Sequence, residues 1–211
     1  MKLLQQEAIN QLPKRERIKL INAITGIKPA NLIGTVDAEG QENLAIISSV
    51  VHLGSSPPLI GYISRPQTVE RHTFANIQSQ GYYSINHIPE KLTEQAHQTS
   101  GKYAQGVSEF EACGISPEYL GDFPAPFVAK SPLKIGMKLR EILPIPINGT
   151  VMIIGEVQQV AYQQEAMQQD GELNLSTLQT VGISGLNSYY RLEKLAQYPQ
   201  VKLDEAPQNN S

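Results

Sequence analysis

The stretch Asn43-Leu44-Ala45-Ile46-Ile47-Ser48-Ser49-Val50-Val51-His52-Leu53 decides how the chain is read. Ile and Val dominate it, and their stiff, branched side chains fit a pleated strand better than a helical turn. Successive strand residues point to opposite faces, so Ser48 and Ser49 put a small hydroxyl on each side of an apolar ribbon. The stretch is predicted to be one long strand from Asn43 to Leu53. On its N-terminal side, Asp37-Ala38-Glu39-Gly40 has turn chemistry and follows the β-rich Leu32–Val36. On its C-terminal side, Gly54-Ser55-Ser56-Pro57-Pro58 reads as a loop, and Leu59–Ile63 as a third strand ending at Ser64-Arg65-Pro66. Three strands joined by short connections point to an antiparallel meander rather than βαβ units.

The same pattern continues outward. After Pro13, the spacing of Ile18, Ile21 and Ile24 predicts a helix stopped by Gly26 and Pro29. Thr68 is placed to cap a second helix, with Val69, Thr73, Phe74 and Ile77 on its inner side and Gly81 at its end. Tyr82–Ile88 returns as strand, and Pro89 opens a helix containing Leu92 and Ala96. The crossing segment 101–122 is predicted to hold a short helix around Glu109. Phe127-Val128, Leu133–Leu143 and the alternating Val151–Gln158 read as strands, the last two joined through Asn148-Gly149. Leu178–Ile183 is read as the last strand. Six or seven strands with few helices between them predict a mainly β chain whose sheet closes into a barrel.

Composition narrows the function. The chain has 211 residues, 40% of them apolar, which supplies a core and argues against disorder. Its 17 basic and 20 acidic residues give a net charge of −3, so no positive field is available to hold nucleic acid. Cys113 is the single cysteine, excluding an intrachain disulfide and a multi-cysteine metal site. The start lacks a signal-peptide core and no run approaches the roughly 20 apolar residues of a membrane span, so a soluble, cytoplasmic protein is expected. His52, His72, His87 and His97 form no paired-histidine motif, and no metal site is expected. There is no Gly-x-Gly-x-x-Gly after a strand, no phosphate loop ending in Gly-Lys-Ser/Thr and no nucleophile elbow.

One concentration of chemistry remains. The third strand leads into Arg65, and Arg71, His72 and Thr73 fall at the start of the following helix. A helix start offers unpaired N–H groups and a positive dipole end, guanidinium groups bind phosphate oxygens in pairs, and a threonine hydroxyl adds a further bond. The set suits a phosphomonoester. The Ser48-Ser49 interruption suits the edge of a flat heterocycle, with apolar neighbours against its face. Serines there can also pair with a neighbouring strand or with water.

Asn43-Leu44-Ala45, Ser48-Ser49-Val50, Ser56-Pro57-Pro58-Leu59, Arg71-His72-Thr73, Asn76-Ile77, Gly81–Asn86 and Gly155-Glu156-Val157 occur in the order seen in the flavin reductase-like family. The chain resembles that family over roughly residues 30–160, and most resembles the branch of the nitrilotriacetate monooxygenase reductase component. The resemblance implies an antiparallel FMN-binding split β-barrel of Greek-key type with peripheral helices. It divides a single domain, residues 1–211, into a helical segment (1–28), barrel core (30–162), C-terminal extension (163–205) and tail (206–211). It also implies FMN as cofactor, NAD(P)H as hydride donor, a homodimer with FMN near the interface, and a monooxygenase as a possible recipient of reduced flavin. By resemblance, Asn43, Ala45, Ser48, Ser49 and Val50 lie along the isoalloxazine and ribityl chain, while Arg65, Arg71, His72 and Thr73 hold the phosphate. His72 stands where relatives often carry an acid. The hydride passes between nicotinamide and flavin, so no side chain is assigned as catalytic. The alternative is a non-catalytic FMN-binding electron carrier or sensor. His52, Tyr189 and Tyr190 are read either as flavin contacts or as packing, Asn86 as a core anchor, and Cys113 as inert.

Overall fold

The computed structural model describes residues 1–66, 71–104 and 106–201. In chain order its elements begin with helices α1 (Gln6–Gln11) and α2 (Lys14–Ala23), then strands β1 (Lys28–Pro29), β2 (Asn31–Val36), β3 (Glu42–Ile47), β4 (Val51–Ser55) and β5 (Pro58–Ser64). Helix α3 (His72–Gln80), strand β6 (Tyr82–His87) and helices α4 (Thr93–Gln98) and α5 (Glu109–Ala112) follow. Strands β7 (Pro117–Glu118), β8 (Phe127–Val128), β9 (Leu133–Ile145), β10 (Thr150–Tyr162), β11 (Val181–Ser184) and β12 (Ser188–Arg191) complete the order.

Seven strands form one antiparallel sheet in the order β3-β2-β6-β9-β10-β5-β4. Its two outermost strands are neighbours in the chain, separated only by Ser48-Ser49-Val50. The same stretch therefore forms both edges, and the sheet must curl until they meet, which is how a barrel removes its exposed edges. Ser49 ties the crossing down. Its Oγ donates to Ile63 O at 3.0 Å and accepts the Ile63 N–H at 3.1 Å, so one hydroxyl does what a ladder residue does elsewhere. The long strand expected from Asn43 to Leu53 is thus two strands, because the chain leaves the β2 ladder at Ile47 and joins the β5 ladder at Val51. The expected three-stranded meander is corrected with it: β5 pairs with β4 and β10, not with β3.

Alternation along the strands builds two apolar layers. Ile33, Tyr62, Tyr83, Ile85, Ile135, Met137 and Ile153 fill the barrel with Ile77 from α3. Leu32, Leu44 and Ile88 face the other way and pack against Phe110, Cys113, Ile115, Val181 and Ile183. Cys113, from the crossing segment 101–122, thus lies in a core. Gly155 faces the buried Tyr83 ring, which would collide with any Cβ there. The Gly155-Glu156-Val157 signature therefore has a packing cause.

Gly81 ends α3 at φ 75°, as its left-handed C-cap requires. The β9–β10 turn is closed by Asn148, whose Oδ1 accepts from Thr150 N and Oγ1, with Gly149 at φ +71°. Strand β9 runs on through Pro144, opposite Val151, beyond the expected end at Leu143. The C-terminal segment forms a hairpin, β11–β12, that pairs with β1. Its second strand was not expected, because Ser188–Arg191 shows no apolar alternation. The hairpin is held to the body by Arg191, which grips the Glu90 carboxylate at 2.6 and 2.8 Å. Helix α2 forms as expected, and α1 precedes it, but neither buries a residue. Ile18, Ile21 and Ile24 are 41, 44 and 66% exposed.

Candidate functional site

The candidate residues come from three neighbouring pieces: β3, the crossing after it, and the start of α3. Asn43 is buried on β3 and donates from Nδ2 to Thr73 Oγ1 at 2.9 Å. The bond joins two positions thirty residues apart and leaves the Thr73 hydroxyl proton free to donate elsewhere. A second tie of the same kind, Asn76 Nδ2 to Thr35 Oγ1 at 3.2 Å, fixes α3 against β2. Together they hold α3 against β3 and β2.

Arg71 occupies the N-cap position of α3, in an extended conformation with φ −131° and ψ 106°, and its own side chain makes no cap bond. Arg71 thus spends none of the first N–H groups on a cap, and the positive dipole end of α3 favours an anion. Thr68, expected as the cap, lies outside the described residues, as does Val69. Arg71 Nε makes a long 3.4 Å contact with Pro66 O. Its guanidinium is lowered from the ordinary arginine range, first by burial and then by the neighbouring charge of Arg65. The two guanidinium groups lie close enough for each to feel the other's charge. Arg65 follows directly on β5, so the barrel wall itself delivers it.

His72 is the first residue of α3. It lines a cavity of about 210 Å³ with Asn43 and Asn76, and with the carboxylates of Asp37, Glu39 and Glu42. Sequence reading did not place those carboxylates there, although the Asp37–Gly40 turn leads directly into Asn43. Asp37 holds that turn through bonds from Glu39 N and Gln41 N.

The crossing residues divide their roles. Ser49 spends its hydroxyl on Ile63, so the strand-pairing reading holds for its side chain. Ser48 and Val50 are half-buried in a segment that belongs to neither ladder, since β3 pairing stops at Ile47 and β4 pairing starts at Val51. Ala45 shares the face of Asn43 on β3. His52 is exposed on β4 with Nε2 3.4 Å from Ser55 Oγ. Tyr189 packs its ring edge-on to His97 at 5.9 Å and bonds its Nδ1 at 3.1 Å, so it serves to dock the hairpin. Asn86 is an anchor: its amide donates to Leu32 O and Ser84 Oγ, and its Oδ1 accepts from Val128 N. Cys113 Sγ lies 3.3 Å from Tyr103 Oη. Among the described residues no cluster of His, Cys, Asp and Glu could hold a metal ion, and no helix is long and apolar enough to cross a membrane.

A mainly β, antiparallel sheet whose two outermost strands come from one continuous stretch has the architecture of the split-barrel flavin reductases. The match to the flavin reductase like domain runs over residues 27–178, and the chain belongs to that family. Among solved structures, a candidate flavin reductase with a split barrel domain from Shewanella frigidimarina NCIMB 400 is 50% identical, covering 95% of this chain and 100% of that one, with a TM-score of 0.92. Nitrilotriacetate monooxygenase component B from Bacillus cereus is 18% identical over 94% of this chain and 98% of its own, at a TM-score of 0.82. An FMN-binding protein from Thermus thermophilus is 16% identical over 82% and 91%, at 0.68. The last two share the fold.

Proposed function

We propose that this flavin-related oxidoreductase binds FMN and accepts a hydride onto it from NADH or NADPH. The observation that carries the reading is the cationic start of α3, with Arg65 and Arg71 together and Thr73 held by Asn43. These groups fit a phosphomonoester: guanidinium groups neutralise its charge, the Thr73 hydroxyl donates to one oxygen, and N–H groups at the helix start donate to another. His72 stands at the rim of this set, between the phosphate position and the Asp37–Glu42 carboxylates. Ser48, Val50 and Ala45 offer backbone groups and a flat, small-residue surface to the ring and ribityl chain, while Ser49 fixes the path of that backbone.

Bound FMN supplies the hydride acceptor; the chain supplies position and exclusion of water. No side chain need move a proton, so none is assigned as catalytic. The family resemblance supports a homodimer with FMN near the interface, and the exposed Ile18, Ile21, Ile24 and Ile27 give it an apolar surface to bury. A monooxygenase that takes up reduced flavin is the proposed downstream partner, and the cytoplasm the proposed location.

The test is the visible spectrum of the purified protein titrated with FMN, then followed anaerobically with NADH and with NADPH. Perturbation of the flavin band on binding and rapid bleaching by either donor is the expected result. A bound flavin that neither donor bleaches replaces the reductase with the carrier or sensor. No bound flavin removes both.

A further inference from the structure

Two segments leave the body from one small sheet and carry apolar side chains outward. Helix α2 leads into β1, the stretch 192–201 follows β12, and these two strands flank β11. Ile27 from the first segment and Leu192 from the second both lie where a Cβ on Gly182 of β11 would point. Polar bonds position each segment. Arg17 donates to Asn10 O at 2.7 Å and Lys28 to Asn22 O at 2.8 Å, yet α1 and α2 bury no residue. In the second segment, Ser176 Oγ accepts the Lys194 N–H at 3.1 Å, and Gln197 Nε2 donates to Asp170 and Glu172 at 3.1 and 2.7 Å.

What the segments present is apolar. Ile18, Ile21, Ile24 and Ile27 are exposed along the first. Leu195, Tyr198 and Val201, spaced by three along the second, are 97, 85 and 82% exposed. Together these residues expose on the order of 800 Å², about what each partner contributes to a standard stable interface. A ten-residue helix that buries nothing is also too short to be stable without a partner surface. Charge is as unevenly spread. Residues 1–28 carry six basic and two acidic side chains, and the rest of the chain eleven and eighteen. A positive arm thus extends from a negative body, and a second copy offers that arm the opposite charge.

We propose that these two segments build the subunit interface of an isologous dimer, each copy's α2 stripe and 192–201 segment being covered by the other copy. This rests on the homodimer proposed above and names the surface that forms it. A lipid surface would suit the basic helix but leave the second segment unexplained, since its Glu193 and Lys194 cancel.

The experiment is sedimentation velocity of the full-length protein from submicromolar to hundred-micromolar concentration, without added flavin, so the outcome is separate from the FMN reading. A dimer is expected for the unaltered chain. Ile21→Glu/Ile24→Glu in one segment and Leu195→Glu/Tyr198→Glu in the other should each raise the dimer dissociation constant about a hundredfold or more, because an isologous interface loses every contact twice. Far-UV circular dichroism checks that the barrel is kept, and Ile21→Ser/Ile24→Ser is the milder change should the charged pair unfold. A dimer that neither segment's variants weaken overturns this interface and leaves the homodimer standing. An unaltered chain that is monomeric throughout overturns both, and its co-sedimentation with phosphatidylglycerol vesicles would assign the apolar faces to a membrane instead.

Discussion

Gly155→Ala is the sharpest test of the barrel interior. A Cβ at this position would lie 3.0 Å from Tyr83 Cζ and 3.0 Å from Met137 Cε, and closer still to Tyr83 Oη, well inside van der Waals contact. The ring cannot swing away: Tyr83 is fully buried and stands edge-on to Tyr62, centroids 6.1 Å apart. Overpacking of this kind costs about 1–3 kcal/mol, and the rigid aromatic places Gly155→Ala in the upper half of that range. The offending atom is one oxygen, and it has no hydrogen-bond partner among the described residues. Tyr83→Phe should therefore be neutral or stabilising by up to about 1 kcal/mol, since an unsatisfied buried hydroxyl is removed.

The two changes should then couple. In the Tyr83→Phe background, Gly155→Ala meets only the 3.0 Å neighbours, and its cost should fall to about 1 kcal/mol, a coupling of roughly 1–2 kcal/mol. Urea unfolding of the four proteins measures this directly, and at this chain length each kcal/mol corresponds to about 2–4 °C in Tm. Equal penalties in both backgrounds would falsify the assignment of Gly155 to the Tyr83 hydroxyl. A large loss from Tyr83→Phe alone would show that the hydroxyl has a partner.

Three further outcomes follow from the same geometry. Arg71→Ala should weaken FMN binding by about 1–3 kcal/mol, and Arg71→Lys by less; unchanged affinity in a flavin titration removes Arg71 from the phosphate site. Ser49→Ala strips both bonds from the Ile63 backbone and should cost about 1–3 kcal/mol in urea unfolding, an unmoved midpoint meaning that the barrel closes without them. Burial pushes the His87 imidazole down to about 4, below its ordinary 6.5. The unfolded chain then binds more protons in that window, so stability should fall as pH drops from about 6.5 towards 4, by at most about 3 kcal/mol. His87→Gln should flatten that part of the stability–pH curve, and an unchanged slope would assign the acid sensitivity to other groups.

What the sequence made legible was local. Gly81 after an amphipathic stretch, Asn148-Gly149 between two alternating runs, and Asp37–Gly40 before a β-rich stretch each act within a few residues, and each lies where it was read. What it hid was set by contacts distant along the chain. Nothing in Asn43–Leu53 distinguishes one straight strand from two, because the break depends on a bond between Ser49 and Ile63, fourteen residues apart. The isoleucine spacing in α2 reveals an apolar face but not what covers it. The candidate site followed the same rule: Asn43, Arg71 and Thr73 stood out separately by residue type, and the Asn43–Thr73 bond brings two of them together. His72 stood out for the same reason, yet the cavity it lines is acidic, through a turn whose carboxylates sequence spacing could not place.

Closure and the proposed flavin site have one physical origin. A barrel whose two edges come from one stretch of chain must spend a few residues crossing between them, and those residues can belong to neither ladder. Their backbone donors and acceptors need partners from elsewhere. Ser49 serves this need from within, through its side chain and the Ile63 backbone. Ser48 and Val50 remain half-buried beside it, outside both ladders and on the same β3 stretch that carries Asn43 to Thr73. On the proposed reading, the edge of the flavin heterocycle completes what the crossing leaves open. Ser49→Ala should therefore loosen FMN and the fold together, whereas Arg71→Ala should loosen FMN alone. Parallel losses of stability in the two variants would refute that division.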